Sequence, residues 1–536
     1  MMDKILIIGS GASGVHFALS VLQKGYEVLL CDVGHAKPDD VNPEDNVNDL
    51  KTNLSDPVQY FLGQRYEAVV YPGSEREYYG FPPNKSYIFS KPSTFTFEAR
   101  GFEPLFSFAQ GGVAEAWTGG VYPLNDYELQ DFPFGYSDIE PYYREVAKRI
   151  GIAGVKDDLA RFFPIHENLM EPLRLDQLSH RLLAAYEKHK GYLNKRLTCY
   201  LGRSRVATLS KDKGERKECA YLGRCLWGCP VEALYTPSIT LKECLKYPNF
   251  RYVPNMYVSH FKYNSAHRIV SVVAESLIEN TSHEITADTF ILAAGALSSS
   301  RIFLDSLFKA TGEIATLPGL MDNRQILVPF ISLKMMGETY SPDSYQYHQI
   351  AVGIESAKPE EYVHGQITTL KSALVHPIIQ KIPLDLRASI FLFRNLRAGL
   401  GIVNVNLHDR RRENSYITLQ PEQQPGRSKL VIHYSPAINE KRVIKQAVRK
   451  VVRCLWKLGC VVPPGMIHVR PMGASVHYAG TLPMSTERKP YTSSKYCQSH
   501  DFDNLYIVDG TTFPFLPAKN LTFTLMANAI RVADHV

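Results

Sequence analysis

At 536 residues and 60.5 kDa the chain is far larger than a single small module; at about 150 residues per domain it amounts to three or four domain equivalents. A composition of 45% hydrophobic and 21% charged residues, with 35 Gly and 33 Pro, excludes disorder and low complexity as its main character. The formal net charge of +6, from 60 basic against 54 acidic residues, is much too small for the basic footprint of a nucleic-acid binder.

The first forty residues carry the strongest signal. Lys4–Ile8 reads as a short buried strand and runs directly into Gly9-Ser-Gly11-Ala12-Ser13-Gly14. Val15, Phe17, Ala18, Val21 and Leu22 then recur at helical spacing, Gly25 ends the helix, and Glu27–Cys31 forms a second strand closing on Asp32. In such a unit Gly9 allows the tight turn, Gly11 lets a pyrophosphate approach the N–H groups at the helix N-terminus, and Gly14 permits close helix–strand packing. Asp32 is placed to accept hydrogen bonds from an adenosine ribose. The pattern predicts dinucleotide binding; the plainer alternative is a glycine turn that only packs.

From Pro38 to about Arg100 the pattern dissolves into Pro, Asn, Asp and Tyr, which predicts a long connection or lid. Gly111-Gly112-Val-Ala-Glu-Ala116-Trp117-Thr-Gly119-Gly120 places four glycines around one Trp: either backbone approaches something closely here, or this is a turn with a packed indole. Strands are predicted over 251–263, 268–277 and 284–294, the last entering Ala294-Gly295-Ala296 and a helix from about Ser298. Further strands at 325–334, 349–355, 365–374, 401–408, 415–420 and 429–433 make a largely β segment. Asn439 is the expected N-cap of a helix with Val443, Ile444, Ala447, Val448, Val451, Val452 and Leu455 on one face. Near the C-terminus, His477-Tyr-Ala-Gly480-Thr481 precedes the strand Leu505–Val508, then Asp509-Gly510, Pro514, Pro517 and Asn520 before a final helix over 523–534.

Nine cysteines, odd in number and scattered, do not resemble the paired framework of a secreted scaffold, so a reducing compartment is expected. The apolar run Ile5–Ile8 reaches Gly9 too soon for a signal peptide, and no window approaches about 18 apolar residues, so the expectation is a cytoplasmic protein without a membrane span. Cys219, Cys225 and Cys229, followed by Pro230, are similar to a ferredoxin run with Leu222 where a second cysteine would stand. A structural loop with buried thiols is expected there, with a cluster or zinc site as the alternative. Leu370–Leu400, with Lys381, Arg387, Arg394 and Arg397, reads as a lid or domain surface, with a basic amphipathic patch as the alternative.

The N-terminal nucleotide unit, the Gly-Gly…Trp-Thr-Gly-Gly loop, the strand ending in Ala-Ala-Gly-Ala, His-x-x-Gly-Thr and Val-Asp-Gly…Pro…Asn occur in the order found in the glucose–methanol–choline (GMC) oxidoreductases. The chain resembles that family over nearly its whole length, and its local motifs are most similar to those of pyranose oxidases and related bacterial alcohol or sugar oxidoreductases. The resemblance implies an α/β fold: a Rossmann-type FAD-binding domain with an inserted α+β substrate domain on a mainly antiparallel sheet. The implied division is 1–305 for the FAD-binding part, with a lid or connection at about 38–110, 306–470 for the substrate domain, and 471–536 for a C-terminal return that completes the FAD domain.

By the same resemblance, Gly9, Gly11, Ala12, Ser13, Gly14 and Asp32 would hold the ADP half of FAD. Gly111, Gly112 and Gly295 would border the cofactor, Trp117 and Gly119 would lie nearer the flavin, and Val258 would meet adenine through its backbone. Asp509, Gly510 and Thr522 would lie along the flavin side. His477 matches the family's catalytic His, and Asn520 the position of its His or Asn partner. In relatives with covalent flavin a His precedes this Trp; here it is Ala116, which implies non-covalent FAD. The expected reaction is oxidation of a sugar, glycoside or other secondary alcohol to the carbonyl, with oxygen, a quinone or a redox protein as acceptor. The alternatives are an FAD-containing hydroxynitrile lyase type and a flavin-binding protein without turnover.

Overall fold

The computed structural model describes residues 4–68, 77, 79–164, 166–370, 375–380, 382–423 and 427–536. Lys4–Ile8 is the central strand of a five-stranded parallel sheet ordered Leu505–Ile507, Thr289–Leu292, Lys4–Ile8, Glu27–Cys31, Phe250–Val253. Parallel strands are buried on both faces, and the central strand serves both. Ile5 and Ile7 pack with Phe17, Ala18 and Leu22 of the helix Ala12–Gln23 and with Met526 and Ile530 of the last helix, Thr522–His535. Leu6 and Ile8 pack the other way, with Val258, Phe261, Leu297 and Phe303. The sheet therefore draws its strands from the beginning, middle and end of the chain.

The predicted strand over 251–263 is in fact two. Phe250–Val253 ends the parallel sheet and Met256–Tyr263 begins a three-stranded antiparallel one with Ile269–Ser276 and Ser282–Ile285. Asn255, at φ 60° between them, turns the chain from one sheet to the other. The predicted strand over 284–294 divides likewise, into Ser282–Ile285 and Thr289–Leu292.

A larger antiparallel sheet is ordered Cys460–Val461, Arg324–Ser332, Leu400–Leu407, Val363–Thr369, Ile350–Ile354, Cys199–Arg203, with His468–Val469 also on Arg324–Ser332. Its two faces differ because side chains alternate along each strand. Ile326, Val328, Phe330, Val352, Ile367, Val403 and Val405 lie under the helices Gln177–Tyr192 and Glu440–Lys457, which contribute Leu178, Leu182, Ala447, Val451 and Leu455. The opposite face is polar: Gln325 stands across from Asn406, His364 across from Asn406, and Gln366 across from Asn404. Asn439 holds the cap position of Glu440–Lys457, but its side chain makes no capping bond.

Strand pairing cuts across the boundaries implied by the sequence. Cys199–Arg203, within 1–305, extends the large sheet by pairing with Ile350–Ile354. Tyr416–Pro421 and Ser428–His433, within 306–470, join Thr316–Pro318 and Phe97–Arg100 in a four-stranded sheet whose Ile417, Leu419, Leu430 and Ile432 are buried with Phe95 and Phe106. Part of the stretch at 38–110 is thus a strand fixed to that sheet. Lys381 lies outside the described residues; Arg397 stacks over Tyr340 at 3.6 Å. Cys219 and Cys225 pack beside Leu173, Val206 and Tyr345, and burial pushes the Cys219 thiol up to about 11. Among the described residues no group of three His, Cys, Asp or Glu is placed to hold a metal, and no helix is long and apolar enough to cross a membrane.

Candidate active site

The turns at the C-terminal ends of the parallel strands open into one long cleft of ≈ 1330 Å³, solvent-open space included. Ligands of open α/β sheets bind at this end. Gly9, Gly11, Ala12, Ser13 and Asp32 line it from the first βαβ unit, Gly111 and Gly112 from the glycine loop, Val258 and Gly295 from the middle of the chain, and His477, Asp509, Gly510 and Thr522 from the C-terminal segment. At two glycines this space is open right up to the backbone. A Cβ on Gly11 would have only Ala293 O near it, at 3.9 Å, and one on Gly295, at φ +84°, would meet nothing within 4 Å. Both would protrude into the cleft. Gly14 is different: its Cβ would collide with Gly9 O, so it serves helix–strand packing. The N–H groups of the first turn of Ala12–Gln23 end at this cleft, as a pyrophosphate requires.

Asp32 lies at one end of the cleft. It accepts from Ser10 N at 3.0 Å, from Gly34 N at 3.2 Å and from the Ser10 hydroxyl, and burial pushes its carboxyl up to about 6. Ser10 Oγ also accepts from Gly111 N at 2.9 Å, so one hydroxyl joins the two glycine loops. The strand carrying Val258 has a register irregularity at Val258/His260, the kind of break that takes backbone groups out of a ladder. Asp509 lines the cleft but uses its carboxylate internally: Gly295 N at 3.0 Å and Ser299 Oγ at 2.5 Å on one oxygen, Thr511 N at 3.0 Å on the other. Its work is to hold the Gly295 turn in place. Trp117 and Gly119 lie off the cleft lining. The Trp117 indole N–H donates to Tyr235 O at 2.7 Å, and a Cβ on Gly119 would press on Leu234.

His477 stands on the loop 473–477, which is tied down by one buried carboxylate. Asp322 accepts from Gly473 N at 2.7 Å, from His477 N at 3.3 Å and from the Ser475 hydroxyl. The loop needs that anchor, since Val476 is a β-branched residue at φ 63°. The ring is half-buried, with Nδ1 2.8 Å from Asn323 Oδ1, and desolvation lowers its pKa to about 4. A histidine in that environment is neutral at pH 7.

Asn520 does not cap the last helix. Its Oδ1 accepts from Gln366 Nε2 at 2.6 Å, which leaves its amide N–H groups to donate elsewhere. The contact joins Asn520 to the polar face of the large sheet. There His364, close enough for the His477 ring to depress its pKa, packs edge-on to Tyr122 at 4.4 Å. His348 Nε2, His364 Nε2 and Asn404 Oδ1 are buried polar atoms without a protein partner. A Cβ on Gly120 would sit 3.0 Å from both Gln366 Nε2 and His348 Nε2. Next to Asn520, Lys519 is fully buried with Glu128, Nζ to Oε2 2.5 Å, and also donates to Pro123 O and Phe162 O, each at 2.9 Å.

The structure thus places His477 at the cleft and Asn520 on the polar face, and adds residues that the sequence reading passed over: Ser10, Asp322, Asn323, Gln366 and Lys519. Of these only Ser10 had a local signal, its place inside the glycine motif.

Residues 411–529 match the C-terminal family model described as GMC oxidoreductase. Along 99% of its length the chain is 22% identical to paromamine 6'-oxidase of Streptomyces fradiae, covering 91% of that protein, and 22% identical to the fructose dehydrogenase large subunit of Gluconobacter japonicus, covering 97%. An FAD-dependent oxidoreductase from Chaetomium thermophilum shares the fold, with a TM-score of 0.59, 13% identity, and coverage of 99% of this chain and 98% of that one. These names are those of an oxidase, a dehydrogenase and an oxidoreductase, and the lyase alternative draws no support from them.

Proposed function

Because this chain belongs to the GMC oxidoreductases and is an FAD-dependent enzyme acting on CH–OH groups, we propose that its donor is a sugar, a glycoside or a related secondary alcohol, oxidised to the carbonyl with His477 as general base. The observation that carries this reading is the polar sheet face beside His477 and Asn520, where His348 Nε2, His364 Nε2 and Asn404 Oδ1 have no protein partner. Buried polar atoms call for hydrogen bonds, and a ring bearing several hydroxyls supplies both donors and acceptors. A simple alkanol supplies one. The sugar named in one relative, fructose, points the same way.

FAD, when bound, supplies the two-electron acceptor for the α-hydrogen of the alcohol. The chain's own task is to hold that carbon still and take the hydroxyl proton. His477 Nε2 receives the proton, and burial has already made the ring neutral at working pH. Asn520, its amide oxygen occupied by Gln366, donates from Nδ2 to the oxygen as charge develops there. Gly9, Gly11, Ser13, Gly112 and Gly295, which line the cleft, would hold the cofactor through backbone, and Asp32 would receive the ribose hydroxyls. Ala116, directly before Trp117, offers no nucleophile to the flavin, so the cofactor is held non-covalently.

The test is an anaerobic screen that follows flavin bleaching with sugars, glycosides and aliphatic or aromatic alcohols, then reoxidation by oxygen or a quinone. Sugars or glycosides are expected to bleach the flavin at the lowest concentrations. Bleaching by simple alkanols and by no polyol would overturn the assignment.

A further inference from the structure

Asn323, 1% exposed, immediately precedes the strand Arg324–Ser332. Its Nδ2 donates to Leu407 O at 2.8 Å and to Pro517 O at 2.9 Å. Main-chain carbonyls only accept, so these two contacts orient the amide without reference to the histidine. Oδ1 is then the atom that faces His477 Nδ1, at 2.8 Å. An amide oxygen also only accepts. Nδ1 must therefore carry the proton, and the lone pair is left on Nε2, at the opposite edge of a ring that lines the cleft.

We propose that Asn323 is a positioning residue that locks His477 in its Nδ1–H tautomer and so makes Nε2 the base. The inference rests on the reading of His477 as general base. The same amide also sets spacing, because Pro517 belongs to the loop that leads to Asn520: one side chain holds the base loop, the end of a strand of the large sheet and the Asn520 loop in register. An amide does this without charge, whereas a carboxylate at this position would stabilise the imidazolium and move the ring's titration upward. The other titratable groups around the ring are the Asp322 carboxylate, on the His477 main-chain N–H, His364, from the strand Val363–Thr369, and Asp509 across the cleft.

The experiment is stopped-flow flavin reduction by a saturating substrate, under anaerobic conditions and from pH 4 to 9, on the FAD-loaded wild type, Asn323→Leu, Asn323→Asp and His477→Ala. Asn323→Leu is expected to slow reduction roughly 10- to 100-fold, the range of losses on removing a group that orients a functional histidine, with the substrate concentration for half-saturation unchanged within about threefold. Asn323→Asp keeps an acceptor toward Nδ1 but gives up both donations, to Leu407 O and Pro517 O, so it is read by its acid limb and not by its rate. Its acid limb should move up by at least about one pH unit, the size of shift a neighbouring opposite charge gives. If Asn323→Leu fails to hold flavin, the limb of Asn323→Asp decides alone. Wild-type rates in Asn323→Leu, or an unmoved limb in Asn323→Asp, together with a disabled His477→Ala, would overturn the positioning role and leave the base intact. Wild-type reduction in His477→Ala would overturn both.

Discussion

Replacing Lys519 by Met is expected to destabilise the protein in a pH-dependent way. Lys519 and Glu128 are both fully buried and in contact. Desolvation pushes the Glu128 carboxyl up, and the charge and hydrogen bond of Lys519 are the largest influences opposing that rise. Removing one partner of a buried pair costs about 3–5 kcal/mol, because the other is left uncompensated. In the variant the folded pKa of Glu128 climbs further above its unfolded value, roughly 4.3. Between those two values the folded state holds a proton that the unfolded state has released, so stability falls as pH rises, by up to ~1.4 kcal/mol per pH unit. The gap between wild type and Lys519→Met should therefore widen from pH 5 to pH 7.5. Urea unfolding at several pH values, followed by far-UV circular dichroism, measures it. Adding Glu128→Leu removes the stranded carboxyl, and the double variant should recover most of the loss and lose the extra slope. A gap below about 1 kcal/mol, a gap independent of pH, or a double variant no better than the single one would refute the reasoning.

Gly11→Val should fold with a normal circular dichroism spectrum but carry less flavin, whereas Gly14→Ala, which drives a Cβ into Gly9 O, should lower the yield of folded protein itself; absorbance ratios and soluble yield separate the two. Acid precipitation of the holoenzyme should release yellow flavin into the supernatant, and flavin retained in the pellet would contradict the inference drawn from Ala116. Gly120→Ala places a methyl group 3.0 Å from Gln366 Nε2 and His348 Nε2, so flavin reduction should slow while the flavin content holds; an unchanged rate would show that neither group matters to the donor.

The parts of the site legible in the sequence are those in which one short segment does the job. Gly9, Gly11 and Gly14 carry their meaning in their spacing, and Asp32 in its distance from them. His477 and Asn520 stand out through motif order. Asn323 and Gln366 are single polar residues in β-rich sequence, and what each does depends on partners more than 150 positions away, His477 and Asn520. The alternation His364-Gly-Gln366-Ile367 announces a two-faced strand, but register and topology decide what its polar face meets. The loop around Trp117 shows the converse: four glycines around an indole leave open which part meets a ligand, and the structure puts Gly111 and Gly112 on the cleft while the indole N–H is satisfied by Tyr235 O. Cys199–Arg203, which lies before residue 305, joins the large sheet because an antiparallel partner can be supplied by any part of the chain that reaches the sheet edge.

The order of strands in the parallel sheet has a consequence for biosynthesis. Thr289–Leu292 and Lys4–Ile8 can meet as soon as the middle of the chain has been made, but the far edge of Thr289–Leu292 waits for Leu505–Ile507. At ~5–20 residues per second the ribosome needs roughly 10 to 40 s to deliver it. Throughout that interval the nascent sheet has an open apolar edge, the usual template for mispairing with another chain. Asp509, which braces the Gly295 turn, arrives with the same strand, so the cofactor cleft cannot close around its ligand until that segment has been made. Chains cut before Leu505 should therefore aggregate, where a simple loss of flavin from an otherwise folded body would require the sheet to stand without Leu505–Ile507.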